Sequence, residues 1–179
     1  MQQIKWFERR FDFSFKQNIF PAIIERLNGT SIRLKIKIEQ TRSELLEIKP
    51  DQKWSIKENI GHLIDLEPIW QKRLDDILGN KEYLSAADLD NKKTDFALHN
   101  NTDINDLLKQ FQEIRHITLN RLYELEERDV YKAALHPRLK KPMRTMDLFL
   151  FVAEHDDYHL ARITEIKTAH NNDNRDTRH

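Results

Sequence analysis

Apolar residues recur every three or four positions along most of this chain, which is the spacing of helices that bury one face. The clearest segment begins at Ser55, where Ser55 and Glu58 form a capping-box pattern, and it ends at Gly79. Pro68 lies inside this segment and is expected to bend the helix or weaken one turn. One face of the helix is apolar and carries Ile56, Ile60, Leu63, Trp70, Leu74 and Ile77.

Three further segments repeat this pattern. A first long helix is predicted from Thr30 or Ser31 to about Glu47, a third after the N-cap Asp103, and a fourth from Thr145 to about Ala169. Polar, irregular connections are predicted over residues 79–102 and 128–143, and no segment is a convincing strand. A connection as long as 79–102 allows consecutive helices that are not antiparallel neighbours. The fold class predicted is all-α, a four-helix bundle with a long crossover connection.

Residues 1–29 precede the bundle and form an N-terminal arm followed by a short helix. The arm is expected to be extended, and the short helix is expected over residues 21–27, between Pro21 and a stop at Gly29. The arm packs on the bundle in one interpretation, and in the other it forms a wall of a substrate pocket or a dimer contact. Residues 1–170 are predicted to be a single domain, and residues 171–179 a disordered tail. The aromatic residues of the arm are Trp6, Phe7, Phe11, Phe13, Phe15 and Phe20.

The composition argues against several classes of partner, site and location. Among 179 residues, 30 Lys and Arg balance 30 Asp and Glu, so nothing favours nucleic acid or an anionic membrane as a partner. The chain has no cysteine, which excludes disulfides, thiolate metal sites and a cysteine nucleophile. Neither a secretory signal nor a run of about 18 apolar residues is found. A cytoplasmic location is therefore expected.

The fourth helix carries the pattern with the most chemistry. His155 and His159 are four residues apart, so both imidazoles project from one face of the helix. At about 100° per residue, that face coincides with the apolar stripe of Leu148, Phe151, Val152 and Ile166. Two buried imidazoles need polar partners. They are predicted to bind one metal ion, with a hydrogen-bonded pair without metal as the alternative.

A third protein ligand is expected, because catalytic zinc sites generally use three. His62 lies on the flank of the second helix's apolar stripe, with Glu58 and Asp65 on its side as acceptors that could orient the ring. Glu154 is the competing ligand, although it points away from His155. His116 is predicted to face solvent. The remaining histidines lie in connections or near the tail, at His99, His136, His170 and His179.

The segment from Trp54 to Leu63, followed about ninety residues later by His155 and His159, resembles the DinB/YfiT-like superfamily. The resemblance covers roughly residues 30–168 and implies a four-helix bundle with a crossover. It also implies that His62, His155 and His159 bind a divalent metal, commonly zinc or nickel. Relatives are linked to low-molecular-weight thiols such as bacillithiol and mycothiol, with S-transferase and isomerase activities, and related bundles often form homodimers.

Two reaction types follow from such a site. A divalent ion with neutral ligands lowers the pKa of bound water or of a coordinated thiol, which gives a hydrolase or a thiol S-transferase. A bundle that binds metal or a small ligand without turnover is the alternative. Candidates for a catalytic role near the ion are His136, Tyr158 and Arg162. A basic patch in the same region could hold substrate carboxylates, and it consists of Arg138, Lys140, Lys141 and Arg144.

Overall fold

The chain folds into a helical bundle with a small hairpin. The computed structural model describes residues 3–176, with side chains through residue 169. In chain order the helices are α1 (Phe20–Glu39), α2 (Ile56–Leu78), α3 (Lys92–Phe96), α4 (Ile104–Tyr123), α5 (Glu127–Tyr131) and α6 (Thr145–Asp176). The hairpin strands β1 (Ala133–Leu135) and β2 (Pro142–Arg144) lie between α5 and α6 and pair antiparallel, with Ala134 opposite Met143.

Four long helices, α1, α2, α4 and α6, form the bundle. Helix α1 packs on α4 and α6, and α2 packs on the same two helices. The order around the bundle is therefore α1, α4, α2, α6, and α1 lies diagonally opposite α2 although the two are consecutive in the chain. This confirms the predicted fold class with a crossover, but at other connections than expected. The connections that cross the bundle are residues 40–55, from α1 to α2, and residues 124–144, from α4 to α6, whereas residues 79–102 join the neighbours α2 and α4. The order also places α2 beside α6, which brings together the two helices that carry His62, His155 and His159.

A buried ion network links three helices at the centre of the bundle. Arg115 of α4 is 1% exposed and donates to Glu67 of α2 and to Asp156 of α6, with N–O distances of 2.7 and 2.6 Å. Thr30 of α1 donates to the same Asp156 at 2.8 Å. Burial raises the pKa of Glu67, and the positive charge of Arg115 acts in the opposite direction. Each charge of this network therefore has a partner of opposite sign.

The short helix and the stop at Gly29 were wrongly predicted. Residues 20–39 form one continuous helix, and Gly29 has no positive φ that would end it. The apolar spacing continues across Gly29 through Leu27, Thr30 and Leu34, all of which are buried. Packing of that stripe outweighs the cost of a helical glycine, which is about 1 kcal/mol. The helix ends at Glu39 instead of Glu47, and short 3₁₀ turns follow at Ser43–Leu45 and Pro50–Gln52.

The connections are more ordered than the sequence indicates. Residues 79–102 contain α3 and a 3₁₀ turn at His99–Asn101. Residues 128–143 contain all but the first residue of α5 and all but the last residue of the hairpin. Strands of three residues are too short to give a recognisable alternation.

The predicted helix boundaries at Ser55, Asp103 and Thr145 agree with the structure. Helix α6 continues to Asp176, so the predicted start of the tail at residue 171 lies inside this helix. Residues 177–179 of the tail lie outside the described residues. None of the described helices combines the length and the apolar content that crossing a bilayer requires.

Candidate metal centre

Three histidines from two helices meet between α2 and α6. The ring centre of His62 lies 5.2 Å from that of His155 and 4.9 Å from that of His159. The rings of His155 and His159 are 4.5 Å apart. One nitrogen from each ring can be chosen so that all three lie within 4.8 Å of one another. The convergence that the sequence predicted is therefore present.

A threonine from the connection between α2 and α4 fixes the tautomer of His62. Nδ1 of His62 lies 3.0 Å from Oγ1 of Thr94 on α3. The single hydroxyl proton of Thr94 is donated to Oδ2 of Asp65 at 2.9 Å. The hydroxyl must therefore accept a proton from His62, which places the ring proton on Nδ1. Nε2 of His62 is left with its lone pair free to bind a cation.

An asparagine fixes the tautomer of His159 in the same way. The amide nitrogen of Asn59 donates to the carbonyls of Trp54 and Ser55 at 3.2 and 2.7 Å, so the orientation of the amide is determined. Oδ1 of Asn59 then faces Nδ1 of His159 at 2.8 Å and accepts its proton. Nε2 of His159 carries a lone pair and lies 3.2 Å from Nε2 of His155. Two of the three rings are thus held with Nε2 unprotonated.

Burial keeps all three imidazoles neutral. Each of the three residues is at most 4% exposed. Burial lowers the pKa of His62 to about 4, and the nearby Asp65 carboxylate only partly offsets this effect. Burial also lowers the pKa of His155 and His159 well below 6.5, and the neighbouring histidines lower it further. The rings are therefore uncharged at neutral pH, so each keeps one nitrogen with a lone pair, as a metal ligand requires.

The donor set fits a divalent transition metal. Three nitrogens bound at about 2.05 Å to one tetrahedral ion lie about 3.4 Å apart. The 3.2 Å between the facing nitrogens of His155 and His159 matches this value. The separation of up to 4.8 Å among the three requires a side-chain shift of little more than 1 Å. Imidazole nitrogens suit zinc and nickel, whereas magnesium and calcium prefer oxygen.

The histidines lie in the wall of a cavity of about 1160 Å³. All three tryptophans of the chain line it. Trp54 lies 4.5 Å from the ring of His62, whereas Trp6 and Trp70 lie 4.8 and 6.1 Å from the ring of His155. The volume is sufficient for an organic ligand, and the aromatic walls are typical of small-molecule sites.

A family model described as the DinB superfamily matches residues 37–163, which include the three histidines. The chain belongs to the DinB superfamily. Among solved structures it is similar to that of YfiT from Bacillus subtilis, which is described as "a probable metal-dependent hydrolase with an unusual four-helix bundle topology". That similarity has a TM-score of 0.77 and 20% identity, and it covers 92% of this chain and 94% of that chain. At this identity the similarity shows the fold. Among curated proteins, none matches this chain.

In this DinB-superfamily chain, Asp65 supports His62 through Thr94 instead of binding it directly. Asp65 also bonds Nε2 of His99 at 2.8 Å. Burial raises the pKa of Asp65, but the hydrogen bonds from His99 and Thr94 and the charge of Lys93 outweigh it, so the pKa lies below its usual value. Asp65 lies on the side of His62, as predicted, but it acts on the ring through Thr94 and does not accept the ring proton itself. Glu58 has a different role, because it completes the capping box with the amide of Ser55.

Gly61 allows His99 to approach α2 closely. A Cβ atom at position 61 would lie 2.2 Å from the His99 ring, far inside van der Waals contact. His99, which the sequence could not place, therefore packs on the helix next to His62 and bonds Asp65. The glycine is required for space and not for its backbone angles, since none of the described glycines has a positive φ.

The N-terminal arm covers one side of the centre. The Trp6 ring contacts His155 and lies 5.0 Å from Phe151 and 5.7 Å from Tyr158. Nε2 of Gln3 donates to the backbone carbonyl of Tyr158 at 3.3 Å. Gln3, Lys5, Trp6 and Phe7 line the cavity. The pocket-wall interpretation of the arm therefore agrees with its position, although the family model begins after it.

The three predicted catalytic candidates all line the cavity, in different environments. Tyr158 packs on His159 at 5.3 Å and lies under the guanidinium of Arg9. Nη1 of Arg162 bonds Glu165 at 3.0 Å, while its buried Nη2 has no hydrogen-bond partner among the described residues. His136 lies in the loop of the hairpin, and burial lowers its pKa to about 4. At neutral pH His136 is therefore uncharged and cannot act as a general acid in the imidazolium form.

The predicted basic patch is divided. Arg144 is held by Asp147 at 2.7 Å and by the carbonyls of Phe13 and Phe15. Lys140 lies over the ring of Tyr83. Of the four residues, only Arg138 lines the cavity.

Two site residues were missed by sequence analysis. Asn59 lies one turn before His62 on α2, and its position three residues from a predicted ligand was a detectable signal. Thr94 lies in a polar connection more than thirty residues from His62, and nothing in the sequence connects the two.

Proposed function

We propose that this protein is a metal-dependent enzyme that holds a divalent ion, zinc or nickel, with His62, His155 and His159 and activates water or a small thiol. The observation that carries the proposal is the set of three buried, neutral imidazoles facing one another in the wall of a large cavity. Three ligands leave a coordination position for the nucleophile. Such an ion lowers the pKa of bound water toward about 7 and activates a thiol similarly.

The chain's own residues supply binding and orientation. Thr94 and Asn59 hold two of the ligands in one tautomer, so no proton has to be lost from these two nitrogens when a cation binds. The rings of Trp6, Trp54, Trp70 and Phe151 exclude water from the site and contact apolar parts of a substrate. A small organic substrate, with a low-molecular-weight thiol as the nucleophile or water in its place, fits a cavity of about 1160 Å³.

Water and a thiol are each supported as the nucleophile by a different observation. The similar structure from Bacillus subtilis is described as a probable metal-dependent hydrolase, which supports water. The resemblance described above supports a thiol. A bundle that binds metal without turnover is the remaining alternative, and it differs from the enzyme in the outcome of an activity assay.

Metal binding can be tested with intrinsic fluorescence, because all three tryptophans lie beside the histidine rings. Ni²⁺ added to metal-free protein without a histidine tag should quench tryptophan fluorescence and saturate at one ion per chain. His155→Ala should abolish this quenching. The matched control is His116→Ala, which changes an exposed histidine on α4. Equal metal content of both variants, measured by elemental analysis, would contradict the assignment of the ligands.

Activity is tested on protein loaded with zinc or nickel. A model ester reports hydrolysis, and the consumption of a small thiol in the presence of an electrophile reports S-transfer. Turnover above the rate of His155→Ala in either assay supports the enzyme and identifies the nucleophile. Tight metal binding without turnover in either assay, across esters and electrophiles that fit the cavity, favours the non-catalytic bundle.

A further inference from the structure

One buried arginine in the cavity wall has no acidic partner. Arg73 lies on α2, three turns beyond His62, and is 3% exposed. Its Nε donates to the carbonyl of Ser85 at 2.9 Å, and its guanidinium carbon lies 5.4 Å from the centre of the Trp70 ring. Among the described side chains, no carboxylate lies within ion-pair distance of Arg73. This distinguishes Arg73 from Arg115, the other deeply buried arginine described above, which has two carboxylate partners.

The acidic group whose charge acts on Arg73 is Asp76, and it is engaged elsewhere. Asp76 accepts hydrogen bonds from Nζ of Lys81 at 2.7 Å and from the amide of Ser85 at 2.6 Å. Burial lowers the pKa of Arg73 to about 10, although the charge of Asp76 acts in the opposite direction. Arg73 is still a cation at neutral pH. A guanidinium largely removed from water without a paired anion is unfavourable. The Nη atoms of Arg73 are not enclosed by protein, so they can donate to a ligand in the cavity.

His136 presents a hydrogen-bond donor beside Arg73. Its Nδ1 accepts from the backbone amides of Arg138 and Leu139 at 3.3 and 3.2 Å, so the ring proton is on Nε2. No described residue accepts a hydrogen bond from Nε2. The backbone brings His136 near Arg73, because the amide of Leu84, the residue before Ser85, donates to the carbonyl of Leu135, the residue before His136. Burial lowers the pKa of His136, and the charges of Arg73 and Arg138 lower it further. Arg73, His136 and Arg138 all line the cavity.

The buried part of the cavity wall favours an anion. Five basic side chains line the cavity, against three acidic ones, and Lys5 and Lys53 among the basic ones are exposed. Of the acidic residues, Glu165 pairs with Arg162, and Asp88 accepts hydrogen bonds from the backbone amides of Asp90 and Lys92. The third, Asp51, lies exposed on a turn.

The arginine is within reach of the histidine centre. The guanidinium carbon of Arg73 lies 5.4 Å from the Trp70 ring centre, and that centre lies 6.1 Å from the ring centre of His155. The sum of these two distances sets an upper limit of about 11.5 Å on the distance from the guanidinium carbon to the centre of the His155 ring. A small molecule can span this distance along the face of Trp70.

We propose that Arg73 and His136 form a subsite that binds an oxyanion, a carboxylate or a phosphate, at the end of the substrate remote from the three histidines. Nη atoms of Arg73 and Nε2 of His136 donate to the anion, which supplies the charge that the buried guanidinium lacks. The subsite rests on the proposed function and narrows its substrate to a small molecule with an anionic end. Trp70 contacts the part of the substrate between the two sites.

The test is anion binding to metal-free protein, so that an anion cannot be held by a bound ion. Metal is removed with a chelator, and the chelator is then removed by dialysis. Succinate and inorganic phosphate are titrated separately into this protein by calorimetry. We expect at least one of them to bind, and the one that binds identifies the group as carboxylate or phosphate. Arg73→Met should weaken binding about ten-fold or more, and His136→Phe should weaken it several-fold, because each removes a donor to a charged group. Arg128→Met, a change at an exposed arginine on α5, is the matched control.

Folding of each variant is checked by circular dichroism, and if Arg73→Met does not fold, His136→Phe decides the result. Anion binding to the metal-free protein does not require a bound ion, so its outcome is separate from that of the proposed metal function. The proposal is overturned if neither anion binds the unaltered protein. It is also overturned if a folded Arg73→Met or His136→Phe variant binds as tightly as the Arg128→Met control.

Discussion

The hydroxyl of Thr94 lies 3.0 Å from Nδ1 of His62, although the two residues are thirty-two positions apart. Thr94 belongs to α3, the short helix in the long connection between α2 and α4. This connection therefore has a part in the site, because it carries the group that orients one histidine. Asp65 holds the hydroxyl from the other side.

Thr94→Val is expected to weaken metal binding about ten- to hundred-fold, as is typical when a partner of a ligating histidine is lost. Valine has the same shape, so the packing of α3 on α2 should remain. Affinity is measured by Ni²⁺ titration with tryptophan fluorescence. Thr168→Val on the exposed side of α6 should leave the affinity unchanged. Unaltered affinity in Thr94→Val would show that Thr94 does not orient His62.

Gly61→Ala and Gly29→Ala are expected to have opposite effects on stability. At Gly61 the added methyl would lie 2.2 Å from His99, so His99 must move away from Asp65 and the free energy of unfolding should fall. At Gly29 the nearest atom outside the helix backbone lies 4.0 Å away, and alanine should stabilise α1 by about 0.5–1 kcal/mol. Urea denaturation measures both. A Gly61→Ala variant as stable as Gly29→Ala would refute the close approach of His99.

Arg115→Met is expected to lower the free energy of unfolding by about 3–5 kcal/mol, because it leaves Glu67 and Asp156 buried without their cation. Arg121→Met is the control on the same helix, since Arg121 pairs with Asp75, whose side chain is 62% exposed. That change should cost no more than about 1 kcal/mol. If the two variants lose equal stability, the buried network does not have the importance assigned to it.

The metal-free protein should lose stability as the pH falls from 6.5 toward 5. The pKa of His62 is about 4 in the folded chain, and those of His155 and His159 are well below 6.5, the usual value that applies to the unfolded chain. In this interval the unfolded chain binds more protons, so the stability present above pH 6.5 is lost on acidification. Each such histidine contributes a slope of up to about 1.4 kcal/mol per pH unit.

Urea denaturation at several pH values in this interval measures that slope. His155→Leu removes one titrating ring from an apolar environment and should make the dependence shallower, whereas His116→Gln should not change it. A dependence equally steep in His155→Leu would mean that His155 does not titrate as described.

Helix boundaries with strong local signals were predictable from the sequence. Ser55 with Glu58, and Asp103, satisfy helix N-termini through contacts a few residues away, and such contacts depend little on the rest of the fold. Gly29 was misjudged because its effect depends on what the helix packs against. The hairpin at β1 and β2 was missed because three-residue strands are stabilised by pairing and burial, which leave no periodicity.

The sequence by itself determined the bundle, and helical spacing identified His155 and His159, because it places two polar rings on a face that must be buried. His62 was one candidate for the third ligand, and the family resemblance selected it. Only the tertiary structure decided that α2 lies beside α6, that Thr94 and Asn59 fix the ring tautomers, and that Arg73 is buried without an acidic partner. These relationships join residues far apart in the chain or depend on the absence of a neighbour. Local spacing carries no information about either.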